Sequence, residues 1–173
     1  MSGLGIDLDM QGVVDLAHAF RVAPDMALDE MVRTTVAATM LLERETKERT
    51  PLGVGGRGSG ASGSIAAQEP QRLAESVIGE VGSPLAYIVP LELGSRPHRP
   101  PIEPLRDWVE HKLNIAPEES ERVAWAISTK IAREGTEGAF MFTNAFNANQ
   151  PQIARMYEAM QARIVRNLAK GAT

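Results

Sequence analysis

The hydrophobic pattern of this chain predicts several helices around a small amount of strand. Between Pro24 and Arg49, apolar or small side chains recur at helical spacing and predict one long helix: Leu28, Val32, Val36 or Thr35, Thr39 and Leu42. Met31, Ala38 and Leu41 widen this stripe. The added width fits either one broad core or cover from two sides, by the chain's own sheet and by a neighbouring subunit.

Shorter patterns predict the strands. Residues 4–10 alternate apolar and polar side chains, which is typical of an edge strand. Residues 13–20 have helical spacing, and Pro24 is expected to end that helix and begin the long one. Residues 64–68 and 75–82 are predicted as two strands of a meander joined through Pro70. Together these elements predict an α+β fold, with a small antiparallel sheet packed against the long helix.

The second half of the chain predicts additional C-terminal helices. The proline-rich run 96–104 lacks several backbone donors and is expected to be extended. Helices are then expected from Leu105, from Glu118 to Glu134, and from about Pro151 to Lys170. Gly135 is the predicted C-cap of the second of these. We expect a single domain over residues 1–173, with 96–137 as a helical insertion.

A glycine-rich segment, residues 51–63, interrupts the pattern. It offers too little apolar area to offset its ordering entropy, so a mobile loop is predicted. Within it, residues 53–58 match the spacing of a dinucleotide-binding fingerprint, which requires a strand before it and a helix after it. Here a helix is predicted before it and a strand after it. This context argues against a nucleotide site.

Composition narrows the class of protein. The chain has no cysteine, which excludes disulfides, thiolate metal ligands and a cysteine nucleophile. No apolar run approaches the roughly 20 residues that span a bilayer, and the first residues are acidic where a signal peptide is basic. A soluble, non-exported protein without membrane contact is therefore expected, assembled in a reducing cytoplasm.

Charge is uneven along the chain. The net charge of −4 gives no broad basic field for nucleic acid. Residues 1–48 carry a net charge of −5, whereas the segment from Gln152 to the end carries +3. These opposite ends could meet between copies in a ring, or they could be two solvated helix faces.

No residue pattern points to catalysis or to a metal. His18, His98 and His111 are far apart, and no pair has the spacing that places two imidazoles on one helical face. Ser59, Ser62 and Ser64 do not lie in a strand-to-helix elbow that presents a nucleophile. The sequence therefore predicts no catalytic, cofactor or metal site, and a protein that is not an enzyme.

Two segments resemble a known family. Residues 87–95, YIVPLELGS, resemble the signature of the tail-completion (neck) proteins of tailed bacteriophages: a tyrosine, a short helical turn, and a glutamate two residues before a glycine. Residues 138–145, GAFMFTNA, are similar to the family's second landmark, a Phe-bearing turn that leads into the last helix. The matching residues are Tyr87, Glu92, Gly94, Phe140 and Phe142. The chain departs from the family in its glycine-rich stretch after Thr50-Pro51 and in the added section 96–137.

The resemblance implies a non-enzymatic, structural virion protein. It implies a homo-oligomeric ring, expected to be a hexamer, between the head–tail connector or stopper and the tail terminator or tail tube. Phage DNA would pass through this ring without sequence-specific binding. Assembly would take place in the host cytoplasm, and no cofactor is implied.

Physical roles can be assigned to the motif residues independently of the family. Tyr87 can bury its ring while its hydroxyl stays bonded, Glu92 can accept backbone or arginine donors, and Gly94 permits a turn that a side chain would block. Fold maintenance is thus expected for them. Contacts with partners are expected from other residues: Gly55, Arg57 and Gly58 in the glycine-rich loop, Arg96, His98 and Arg99 in the proline run, and Met156 and Met160 on the last helix.

We expect loops 52–63 and 96–104 to become ordered only on docking to ring or tube neighbours. Two alternatives of other classes stay open at this stage. One is a small-ligand-binding enzyme. The other is a helical adaptor that binds a bacterial partner through Met156, Met160 and Ile164.

Overall fold

The structure, a computed structural model, describes residues 11–53, 58–74 and 76–171, with side chains from Ala23 to Lys170. Its helices are α1 Gln11–Arg49, α2 Gly60–Ser64, α3 Ile88–Leu93, α4 Ile102–Leu113, α5 Pro117–Glu134 and α6 Met141–Gly171. With three short antiparallel ladders, they form the predicted α+β fold. No helix in the described ranges is apolar enough over a sufficient length to cross a membrane. The edge strand expected at residues 4–10 lies outside the described residues.

The strands are short and pair two by two. β1 (Ala66–Ala67) pairs with β4 (Val81–Gly82), β2 (Gln71–Arg72) pairs with β3 (Val77–Ile78), and β5 (Gly94–Ser95) pairs with β6 (Thr136–Glu137). The two predicted strands are thus antiparallel arms, but Ser64 belongs to α2 and the second arm is divided into β3 and β4. Pro70 lies between β1 and β2 and has no N–H to donate, so the ladder is interrupted there.

The β1–β4 and β2–β3 ladders contact α1, as the fold class requires. The Ala67 N–H donates to Glu43 Oε2 over 2.8 Å, and Arg72 Nη2 lies 2.8 Å from Asp29 Oδ1. The prediction that the small sheet elements pack against the long helix is therefore confirmed. The β5–β6 ladder was not predicted.

Two prolines lie inside helices that they were expected to bound. α1 continues through Pro24, and α6 begins ten residues before Pro151, at Met141. Both predicted boundaries are wrong. A proline removes one donor from the helical ladder, but the hydrogen bonds on either side remain. Asn147, whose carbonyl loses its partner at Pro151, is exposed to water.

The other helix boundaries are close to prediction. α1 ends at Arg49 and α5 ends at Glu134, both as expected. Gly135 is the C-cap of α5, with a φ of 77° and an N–H bond to the Ile131 carbonyl at 2.9 Å. α4 begins at Ile102 and not at Leu105. Pro104 lies in its first turn, where an N–H has no intrahelical acceptor in any case, so the helix tolerates it.

The glycine-rich segment is not a loop throughout. Residues 60–63 belong to α2, so the predicted mobile loop is wrong at that end. Ser62 is buried, and its Oγ lies 3.4 Å from the Lys47 carbonyl oxygen. A Cβ on Gly63 would lie 2.4 Å from the Gly58 carbonyl oxygen, so glycine is needed for this close approach. Residues 54–57 lie outside the described residues.

The chain comprises two compact units. The first is Met1–Ala38, Glu69–Gly79 and Pro151–Thr173, and the second is Thr39–Gln68 and Glu80–Gln150. In the described part of the first unit, α1 and α6 run antiparallel, because Glu30 contacts Arg163 while Thr35 contacts Tyr157. In the second unit, α4 and α5 form an antiparallel hairpin. The single domain expected from the sequence stays a prediction.

The α4–α5 hairpin packs through small residues. Val109 on α4 and Ser120, Ala124 and Ser128 on α5 are fully buried. The Ser120 hydroxyl donates to Glu110 Oε1 over 2.7 Å, so its burial leaves no unpaired donor. The predicted α5 stripe of Val123, Ile127 and Ile131 is only half-buried. The fully buried positions of α5 are shifted by one residue from this stripe.

We expect Val109→Ala to lower the free energy of unfolding by about 2 kcal/mol, because it removes two buried methyl groups and leaves a cavity. Chemical denaturation measures this loss. The matched control is Val165→Ala on α6, where the side chain is 66% exposed. That change should alter stability by less than about 0.5 kcal/mol. Equal losses at the two positions would contradict the packing described here.

Candidate functional site

The segment 87–95 forms a compact turn, helix and strand. Tyr87 precedes α3, which is held at its start by the Ile88 N–H bond to the Leu85 carbonyl at 3.0 Å. Gly94 ends α3 with a φ of 83°, a conformation that favours glycine, and then pairs with Glu137 in the β5–β6 ladder. The predicted helical turn and glycine stop are therefore present.

Glu92 caps the first turn of α6. This carboxylate is buried, with 9% of the residue exposed. Oε2 accepts the Phe142 N–H at 3.0 Å, and Oε1 accepts the Thr143 N–H at 3.0 Å and the Thr143 hydroxyl at 2.8 Å. The first N–H groups of a helix have no intrahelical acceptor, and a negative charge there also opposes the positive end of the helix dipole. The expected backbone donors are therefore present, and among the described residues no arginine donates to Glu92.

These hydrogen bonds also set the ionisation of Glu92. Burial is the largest single influence and disfavours the charged form, but the donors from Phe142 and Thr143 together outweigh it. The pKa of Glu92 is therefore below its ordinary value. The carboxylate is charged at neutral pH and serves as a fixed acceptor, not as a proton donor.

Two glycines let the backbones cross next to Glu92. The Ala139 and Phe140 N–H groups donate to the Leu91 and Glu92 carbonyls at 2.8 and 3.0 Å. A Cβ on Gly94 would lie 2.4 Å from the Thr136 carbonyl oxygen, and a Cβ on Gly138 would lie 2.4 Å from the Glu92 carbonyl oxygen. Backbone atoms cannot give way as a flexible side chain can. We call this assembly of Glu92, Gly94, Gly138 and the α6 N-terminus the Glu92 junction.

The aromatic motif residues are more exposed than expected. Tyr87 is 50% exposed, so the prediction that its ring is buried is wrong. Phe140 is 44% exposed and has a φ of 49°, which is unusual for a residue with a side chain. Phe142 is half-buried. The predicted Phe-bearing turn is also shorter than expected, since α6 already begins at Met141.

Sequence reasoning missed the exposed apolar face of α3. Val89 and Leu93 lie one turn apart on this helix, and both are more than 60% exposed. Phe140 is bonded through its N–H to the carbonyl of Glu92, the neighbour of Leu93. The pattern of apolar residues in YIVPLEL could have indicated this surface only if the buried face, Ile88 and Glu92, had been known.

The proline run packs against α5 in the same chain. The His98 N–H donates to the Ile131 carbonyl at 3.4 Å, and the Arg99 guanidinium lies 6.0 Å from the centre of the Trp125 ring. These two contacts place the proline run against α5, and the expectation that residues 96–104 become ordered only on docking stays a prediction. Arg96, His98 and Arg99 are nevertheless exposed, as contact residues must be.

The remaining contact candidates divide into three groups. Met160 is buried, so it cannot be a partner contact in this conformation, and that prediction is wrong. Met156 is half-buried, and Gly58 is exposed with a φ of 83°. Gly55 and Arg57 lie outside the described residues. Within the described ranges, no three His, Asp or Glu side chains are grouped as a metal site would require.

Comparison with known proteins adds no relative: no family model, no curated protein and no solved structure gives a significant match to this chain.

We expect Gly94→Ala to lower the free energy of unfolding by roughly 2–4 kcal/mol, because the new methyl group meets the Thr136 carbonyl and the backbone has a positive φ. Thermal or chemical unfolding measures the loss. Gly82→Ala is the matched control, since a Cβ there meets no atom within 4 Å. A small effect at both glycines would show that the crossing is not tight.

We expect Glu92→Gln to destabilise the chain by about 1–3 kcal/mol at pH 7, because an amide cannot accept at both oxygen positions. The folded-state pKa of Glu92 is depressed, so its contribution is present above the unfolded pKa of about 4.3 and is lost as the pH falls through the folded pKa. The difference from wild type should therefore shrink below about pH 4. Denaturation curves from pH 3 to 7 test this, with Glu158→Gln at an exposed position of α6 as the control. A difference that is independent of pH would contradict the ionised cap.

Proposed function

We propose that this chain is a structural subunit of the neck of a tailed bacteriophage. In this proposal it forms a ring, expected to be six-fold, between the head-side connector or stopper and the tail terminator or tail tube. Phage DNA passes through the ring without being read. The chain contributes surface and shape and makes no covalent bonds of its own.

One observation carries this proposal beyond the sequence motifs. The two segments that resemble the neck family, 87–95 and 138–145, bond directly to each other at the Glu92 junction. If the two segments resembled the family only by chance, there would be no reason for them to contact each other. Instead, the glutamate of the first segment caps the helix that begins in the second. This arrangement supports the resemblance and assigns Glu92 and Gly94 to fold maintenance.

The exposed apolar surface supports an assembly role. Tyr87, Val89, Leu93 and Phe140 belong to the same two segments and leave large apolar side chains in contact with water. Exposed apolar side chains that lie close together, as Val89 and Leu93 do one turn apart on α3, are typical of interaction surfaces. In a ring, such a face would be covered by a different surface of the next copy, since ring contacts are heterologous.

The alternatives gain no comparable support. The adaptor alternative relied on Met160 as an exposed contact, and Met160 is buried. The small-ligand alternative has no assigned residues, and the fingerprint spacing at residues 53–58 does not supply them, since the helix α1 and not a strand precedes this segment.

Deletion of the gene from the phage or prophage that encodes it should leave filled heads and completed tails that do not join. The physical reason is that the neck would lack one layer of its protein contacts. Infectious titre and negative-stain electron microscopy of the particles measure the effect, and the wild-type gene supplied in trans should restore both. Joined, infectious particles without the protein would rule the proposal out.

A further inference from the structure

The last helix carries a row of basic side chains along one side. At 3.6 residues per turn, four of its residues fall within an arc of about 80° around α6. We call them the basic row: Arg155, Arg163, Arg166 and Lys170. All but Arg163 are exposed. At a rise of about 1.5 Å per residue, the row extends over roughly 22 Å. Glu158 is the only acidic residue of α6, and it lies about 60° outside the arc.

The part of α1 that lies across from the basic row adds no net negative charge. Glu30 accepts from Arg163 Nε at 2.9 Å and from Arg33 Nη1 at 3.4 Å, so these three groups together keep one positive charge. The neighbouring Asp29 is already bonded to Arg72 Nη2 at 2.8 Å. Within the described ranges, the two exposed arginines of the row form no ion pair. The row is therefore a positive surface on a chain whose net charge is −4.

The surroundings of the basic row distinguish between the kinds of anionic partner. The exposed residues beside its charges are small or polar: Gln152, Ala159 and Ala162. A protein interface has large apolar or aromatic side chains at its centre, and a helix bound to a lipid surface turns its apolar face to the membrane. The apolar face of α6 is turned inward instead, since Met160 is buried and Tyr157 is bonded to Thr35 at 3.1 Å. Contact with a phosphate backbone needs only the positive charges.

We infer that the basic row of α6 contacts the phosphate backbone of double-stranded DNA without reading its sequence. A duplex carries one phosphate charge per about 1.7 Å of its axis, so a rigid row that is roughly 22 Å long meets phosphates over its whole length. In the proposed ring, the row lines the channel. This inference rests on the proposed function and specifies which surface of the subunit meets the DNA.

Neutralising the two exposed arginines of the row tests the contact. Fluorescence anisotropy measures binding of the full-length protein to two duplexes of equal length and unrelated sequence, over a range of salt concentrations. Arg155→Gln/Arg166→Gln should weaken binding to both duplexes alike. It should also lower the slope of log Kd against log salt by about 2, because each lost phosphate contact releases about one counterion fewer. Arg155→Lys/Arg166→Lys keeps both charges and should keep the wild-type slope.

The control is Arg44→Gln/Arg133→Gln, which removes the same charge from two exposed arginines of the second unit. It should leave both the affinity for DNA and the salt slope unchanged. Circular dichroism shows whether each variant is folded. If the double glutamine variant does not fold, Arg155→Gln alone replaces it and should lower the slope by about 1.

Three results overturn the inference: no duplex binding by the wild type at about 0.05 M salt, the same slope for the wild type and the glutamine variant, or an equal loss in the control. Tighter binding to vesicles that contain phosphatidylserine than to duplex DNA also overturns it and assigns the row to a membrane surface. The gene deletion tests the neck function separately. Unjoined heads and tails, together with a purified protein that does not bind DNA, would overturn this inference and leave the proposed function intact.

Discussion

The structure depends on one buried carboxylate. Glu92 lies at the start of α6 and accepts donors that the helix itself cannot satisfy. Without it, the first turn of the 31-residue α6 would be buried with unpaired N–H groups, which is costly. Gly94 and Gly138 are the consequence of this arrangement, because the backbone must come close enough for the carboxylate to reach. The Glu92 junction thus consists of the capping of α6 by Glu92 and of the two glycines that allow the backbones to come close enough for it.

The long helix α1 is unusual in what it buries. Four of its buried residues are threonines, whereas Leu41 is its only buried large apolar residue among those described. The threonines are Thr34, Thr35, Thr39 and Thr46. A threonine methyl packs, while its hydroxyl must find a partner, as the Thr35 hydroxyl does with Tyr157 at 3.1 Å. Such a core contains little apolar area, and many large apolar side chains elsewhere remain exposed. A small buried apolar area together with exposed large apolar side chains is expected of a subunit that buries further apolar surface against its neighbours.

The proposed ring requires each copy to present two different surfaces that meet between copies, and such heterologous contacts form a closed ring when the rotation between copies closes. The exposed Val89 and Leu93 on α3 are available for a further neighbour, such as the adjacent layer of the proposed neck.

The sequence by itself determined the elements whose signals are local. The end of α1 at Arg49, the span of α5 and the cap at Gly135 follow from periodicity and from glycine's access to positive φ. Tertiary structure decided what local signals cannot express. Pro151 did not begin α6, because the remaining helical bonds outweigh one missing donor. The donors to Glu92 lie about 50 residues away along the chain, and only the fold brings them to it. Met160 is buried and Tyr87 is half exposed, and this difference depends on the contacts that each side chain makes in the fold, which the local pattern does not show.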